Sequence, residues 1–209
     1  MSLYEKNRRR RRRDILMAAA EVFRTAGFVA ARIDAIAERA EVATATVYNY
    51  FPTKDALLLA LVNEHRAESI AKRELLISNP VSDPVEALHS YFAELVDISL
   101  LYLDKSLWRH VCAASIVGSW ENMSEKMMKN EQHMIKEKIQ ILRALKSRGC
   151  LSEDIDEVAH ANIIHSVGYF LWQVFLSEEE LTADWLKASM KAKLSYIFSD
   201  VGMRCRSAS

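Results

Sequence analysis

Glycine and proline are scarce, five and three in a chain of 209 residues. An all-β fold draws on both types for its many turns, so that class is excluded. Cysteine is equally sparse: Cys112, Cys150 and Cys205 are an odd number at unrelated spacings. They supply neither a disulfide framework nor a zinc site, and they fit a reducing cytoplasm. No apolar run is long enough for a bilayer; the most apolar window, Ile163 to Leu176, is short and interrupted by His165 and Gln173. The N-terminal charges run straight into a helical pattern, so no signal peptide is expected. Catalytic signatures are missing as well. No HExxH, glycine-rich phosphate loop or nucleophile elbow occurs. Neither an enzyme nor a cofactor or metal site is expected.

Half of the residues are apolar, ample for a packed core, and long stretches rich in Ala, Leu, Glu, Lys, Arg and Met predict an all-α fold. The net charge is zero but unevenly spread. Up to Asp55 there are eleven Lys/Arg against seven Asp/Glu, and the surplus is reversed beyond it. Six consecutive arginines, Arg8 to Arg13, open the basic part. A basic front and a mildly acidic rear point to a polyanion met by the front alone.

Helical spacing of Ile15, Ala19, Val22 and Phe23 predicts a first helix running from the arginines to Ala26, stopped at Gly27. Short helices follow at Ile33–Ala40 and Thr44–Phe51, the second closed by Pro52. Thr53 is placed to cap a long helix from Lys54 toward Ile77. After "SNPVSDP", helices are expected near Val85–Asp104, Lys105–Ser119, Trp120–Arg148, Asp154–Ser177 and Thr182–Asp200, with a disordered tail from Gly202. The expected domains are residues 10–55 and 56–201.

Two short helices with a tight turn suggest a helix-turn-helix, and the spacing supports it. Counting from Ile33, the fifth residue is the small Ala37, the ninth, at the turn, is Glu41, and the fifteenth is Val47, placed to pack back on Ala37. The segments "ILMAAAEVFRTAGF" and "IDAIAERAEVATATVYNYFPTKDALL" resemble, in residues and spacing, the N-terminal DNA-binding domain of TetR-type (TetR/AcrR) transcriptional regulators. The resemblance covers about residues 10–62. Two positions depart from it: Glu41 stands where glycine is usual, and Ala43 where a serine commonly caps the second helix, which would leave Thr44 as the cap.

The resemblance implies a regulator, commonly a repressor, that binds a near-palindromic DNA operator as a homodimer through its last two helices. Thr44, Ala45 and Thr46 would then meet base edges, Tyr48 the backbone or a base, and Asn49 an adenine. Lys54 would hold a phosphate, Arg32 completes the contact set, and the arginine run would act as an electrostatic arm. The larger rear domain would bind a small-molecule effector. Candidate pocket residues are Tyr102, Trp108, His110, Trp120, Met127, His165, Tyr169 and Trp172, a set suited to an apolar or aromatic ligand. In the helix near Asp154–Ser177 one apolar stripe (His160, Ile163, Ile164, Val167, Leu171, Val174) and a second sector (His165, Trp172, Leu176) suggest burial on both sides. One side would be core and the other a partner. The competing expectation is a rear domain that binds a protein or only dimerises.

Overall fold

The computed structural model describes residues 2–117 and 123–199. Among them the chain forms nine α-helices: α1 Leu3–Ala26, α2 Ile33–Arg39, α3 Thr44–Tyr50, α4 Lys54–Ser78, α5 Pro84–Tyr102, α6 Lys105–Val117, α7 Met123–Ser147, α8 Glu157–Ser177 and α9 Ala183–Ile197. Trp120, Cys205 and the tail from Gly202 lie outside the described residues, as does the side chain of Tyr102. No helix among those described is long and apolar enough to cross a membrane.

The all-α expectation is met, and most boundaries fall within two residues of those predicted. The first helix differs more. It starts at Leu3, because Ser2 and Glu5 form a capping box in which Ser2 Oγ accepts from Glu5 N–H and Glu5 Oε2 accepts from Ser2 N–H. All six arginines are helical, as expected of a first helix that includes them.

The chain divides into two compact units. One comprises residues up to Ala67 together with Ser99–Met123; the other comprises Glu68–Ile98 and the residues from Ser124 onward. In the first unit α1 packs on α2 and α2 on α3. Ile15, Leu16, Ala19 and Phe23 of α1 are buried with Ile36, Ala37, Val47, Phe51, Leu57 and Leu61. Each large apolar side chain so enclosed contributes about 1.5–3 kcal/mol.

In the second unit α8 packs on α9. The inner stripe of α8 is Ala161, Ile164, Gly168, Leu171 and Phe175, rotated from the one predicted. Its small residues decide the rotation. A Cβ added at Gly168 would meet the Phe92 ring at 3.1 Å, so α5 and α8 approach where a side chain is missing. Ile163 is consequently 52% exposed, and Phe170, Tyr169 and Val158 are exposed with it. Leu186, Met190 and Leu194 of α9 are buried, with Phe198 just after it.

Candidate functional site

The turn between α2 and α3 is a Schellman closure. Val42 N–H donates to Ala37 O at 3.0 Å and Glu41 N–H to Glu38 O at 3.1 Å, satisfying carbonyls that the end of α2 leaves open. This closure needs a left-handed residue, and Glu41 supplies it with φ 53°. The end of α7 repeats the motif with glycine: Gly149 has φ 69°, and Cys150 and Gly149 N–H donate to Leu145 O and Lys146 O. Glu41 thus keeps the turn geometry at the strain of a Cβ in left-handed space.

At the start of α3, Ala43 occupies the cap position with extended backbone and makes no side-chain cap bond. Thr44 does not cap the helix, contrary to expectation, because it is already helical and its hydroxyl donates to Asp34 Oδ1 at 3.0 Å. The other oxygen of Asp34 accepts from Arg32 Nη2 at 3.3 Å. One carboxylate on α2 therefore orients both the first residue of α3 and the exposed Arg32. The helical period turns Val47 inward, fully buried, and presents Ala45, Tyr48 and Asn49 on the opposite face, with Thr44 and Thr46 half-buried on its flanks. Tyr48 is 50% exposed; Tyr50 is half-buried beside Phe51, ring centroids 6.3 Å apart.

The Lys54 side chain is engaged within its own unit. Its ammonium donates to Val29 O at 2.9 Å and Ala31 O at 3.1 Å, and lies 4.9 Å from the centre of the Phe28 ring. It ties the α1–α2 loop to the start of α4. Thr53 does cap α4, accepting from Ala56 N–H at 3.0 Å. The arginine helix flanks the same surface. Arg8, Arg10 and Arg11 line one cleft with Glu41, Asn49 and Tyr50, while Arg8, Arg9 and Arg12 line another with Asn49 and Tyr50. Arg12 also lies over Phe51, 5.4 Å from the ring centre. The bidentate pair of Arg39 with Glu21 braces α2 against α1; its partners are 18 residues apart, so no local pattern in the sequence announces it.

The expected pocket residues are split between the units. Trp108 and His110 lie on α6 in the first; Trp108 donates to Ser99 O at 2.9 Å, and the His110 ring is 5.1 Å from Phe28. Met127, His165, Tyr169 and Trp172 belong to the second. There His165 joins a buried polar cluster that helical periodicity does not reveal, since its members come from four helices. Arg73 of α4 donates to Glu137 Oε1 at 3.0 Å, and Tyr91 of α5 donates to Glu137 Oε2 at 2.6 Å. Lys138 of α7 donates to Met134 O at 3.2 Å and contacts His165 Nδ1 at 3.3 Å, while His165 Nε2 is 3.0 Å from Glu131. Arg73, Glu137 and Lys138 are each under 5% exposed. Burial, partly countered by the charges of Glu137 and Glu131, brings the Lys138 ammonium down to about 8. Burial and the adjacent Glu137 charge hold the Tyr91 phenol well above its ordinary value.

The arrangement of α1 to α3, with Val47 buried and Ala45, Tyr48 and Asn49 turned outward, has the form of a DNA-binding helix-turn-helix. Residues 15–61 match the family model of bacterial regulatory proteins of the tetR family. Over 197 residues the chain is 26% identical to the HTH-type transcriptional repressor NicS of Pseudomonas putida, covering 85% of this chain and 87% of that protein. Over 158 residues it is 26% identical to the HTH-type transcriptional regulator UidR of Escherichia coli K12, covering 74% and 76%. The structure of a TetR-family regulator from Mesorhizobium loti has the same fold, with a TM-score of 0.70 at 16% identity over 93% of this chain and 98% of that one. Residues 15–61 thus carry the DNA-binding domain of the tetR family, and the chain as a whole shares the fold of such regulators.

Proposed function

We propose that this chain is a cytoplasmic, homodimeric repressor that occupies a near-palindromic operator and leaves it when the second unit binds a small-molecule effector. The observation that carries the DNA part is the outward face of α3. Ala45 and Asn49 suit a thymine methyl and an adenine edge, Thr44 and Thr46 flank them with hydroxyls, and Tyr48 is exposed beside them. Arg32 and the α1 arginines supply phosphate contacts. Lys54 contributes by holding the α1–α2 loop and the start of α4 in place.

Dimerisation is supported by the outer face of α8, where Val158, Ile163, Tyr169 and Phe170 are 46–64% exposed, and by Tyr196 of α9 at 83%. Such a run of large apolar side chains on two packed helices is suited to a second copy. Two copies also read a palindrome far more tightly than one. Effector control is supported by the buried ionic cluster of the second unit, since charges are expensive to bury where only packing is needed. The test is selection of bound sequences from random DNA, followed by anisotropy titrations of the winner against a metabolite panel. A two-fold related motif and a compound that releases it are expected; enrichment of no motif would sink the reading. If a motif is enriched but no compound releases it, the second unit only dimerises or binds a protein.

A further inference from the structure

The ionic cluster is asymmetric in how its charges are met. Glu137 is well supplied, taking Arg73 on one oxygen and the Tyr91 hydroxyl on the other. The two buried cations are not. Arg73 Nε has no hydrogen-bond partner although it is buried. Lys138 reaches only neutral acceptors, the Met134 carbonyl and His165 Nδ1. Its N–H on Nδ1 places the histidine proton on Nε2, which donates to Glu131. Both cations lie by the Tyr91 ring, Lys138 Nζ 4.9 Å and Arg73 Cζ 5.8 Å from its centre. Arg73 is paired with Glu137 through Nη2, but a buried Nε–H without an acceptor and a buried ammonium held only by neutral acceptors are costly in a merely structural core. The apolar neighbours Leu88, Phe92, Ile141 and Leu142 on the same helices are all buried.

We propose that this cluster is the recognition point for a small carboxylic acid with an apolar body, whose carboxylate accepts from Arg73 Nε–H and from the Lys138 ammonium. The proposal rests on the reading of the second unit as an effector domain and deepens it by naming the ligand's chemistry. A monoanion fits better than a dianion, because Glu137 and Glu131 already bring two negative charges to the site. An acid is thereby selected over its neutral amide, whose NH₂ group would face Arg73 and Lys138 with donors of its own. Binding draws Lys138 off His165 Nδ1. The groups facing Lys138 are Tyr91 on α5, His165 on α8 and, on α7, Glu131 and Glu137; Arg73 on α4 adds repulsion. An anion beside Lys138 raises its proton affinity, so acid binding weakens as pH climbs through about 8, where the free ammonium is lost.

The full chain is to be titrated with acetate, hexanoate, benzoate and 2-naphthoate, each paired with its amide, with thermal melting as readout. At about tenfold its Kd, one acid or more is expected to raise the Tm by about 3–6 °C. Its amide should leave the Tm unchanged, and the acid's affinity should fall about tenfold for each pH unit above 8. Lys138→Met replaces a buried charge by an apolar chain of similar length, keeps the fold and should abolish the shift. An amide that binds as well as its acid, a Lys138→Met protein that still responds, or no response to any acid overturns the assignment. A neutral compound that releases DNA without competing with the acids would remove this site while leaving effector control intact.

Discussion

Glu41 shows how a single side chain can oppose its backbone without changing the fold. Its φ of 53° is imposed by the Schellman bonds of Glu41 and Val42 to α2, the same bonds that Gly149 and Cys150 make after α7. Removing the Cβ relieves the strain, so Glu41→Gly is expected to stabilise the protein by about 1 kcal/mol. That is a rise in Tm of about 2–4 °C in a thermal melt. Lys54 and Tyr48 form the complementary pair. Lys54→Ala removes a charged donor from Val29 and Ala31 and should destabilise by about 1–2 kcal/mol, visible as a lower denaturation midpoint. Tyr48→Ala leaves the core untouched, since half of the side chain is in solvent, and should weaken operator binding at unchanged Tm. Equal melts for the Lys54 variant and its parent would contradict the clamp.

At the scale of the element, α1 carries two roles on one helix. Its C-terminal half buries Ile15, Leu16, Ala19 and Phe23, while its N-terminal half carries six arginines, of which Arg8 to Arg12 line clefts with Asn49 and Tyr50. The capping box at Ser2 and Glu5 extends the helix through them, so their charges are held in fixed positions. Phosphate contacts made by such a helix release counterions and show themselves in salt dependence. Replacing Arg8, Arg9 and Arg12 by glutamine should therefore flatten the plot of log affinity against log salt by about 0.9 for each phosphate no longer neutralised. Sequence preference should change little, because phosphates carry no base identity. A slope identical to the parent's would rule these arginines out of the interface.

For the whole molecule, the decisive surface is the outer face of α8 with Tyr196 of α9. Phe170, 64% exposed on that face, is the single residue whose replacement separates the readings. Phe170→Glu places a charge where a second copy is expected and should yield a monomer in sedimentation velocity. Operator affinity should drop about 100-fold or more, since only one half-site can then be engaged at a time. A dimer of unchanged affinity would move the interface elsewhere. Acid selectivity at Arg73 and Lys138 belongs to this scale too, because it matters to regulation only if the second unit's ligand alters DNA binding, and that coupling is reciprocal.

By itself the sequence determined the helices, the helix-turn-helix and the identity of its outward face. These follow from local physics: apolar period, the stop at Gly27, the break at Pro52 and the spacing of Ala37, Glu41 and Val47. Tertiary structure decided what long-range packing decides. It turned Lys54 toward the α1–α2 loop, joined Asp34 to both Arg32 and Thr44, and set α8 by the contact of Gly168 with Phe92 rather than by its larger residues. It also gathered Arg73, Tyr91, Glu137, Lys138 and His165 from four helices into one buried cluster. Of these only His165 stands out in the sequence; the others read as ordinary positions, because burial and partnership between distant positions leave no periodic trace along the chain.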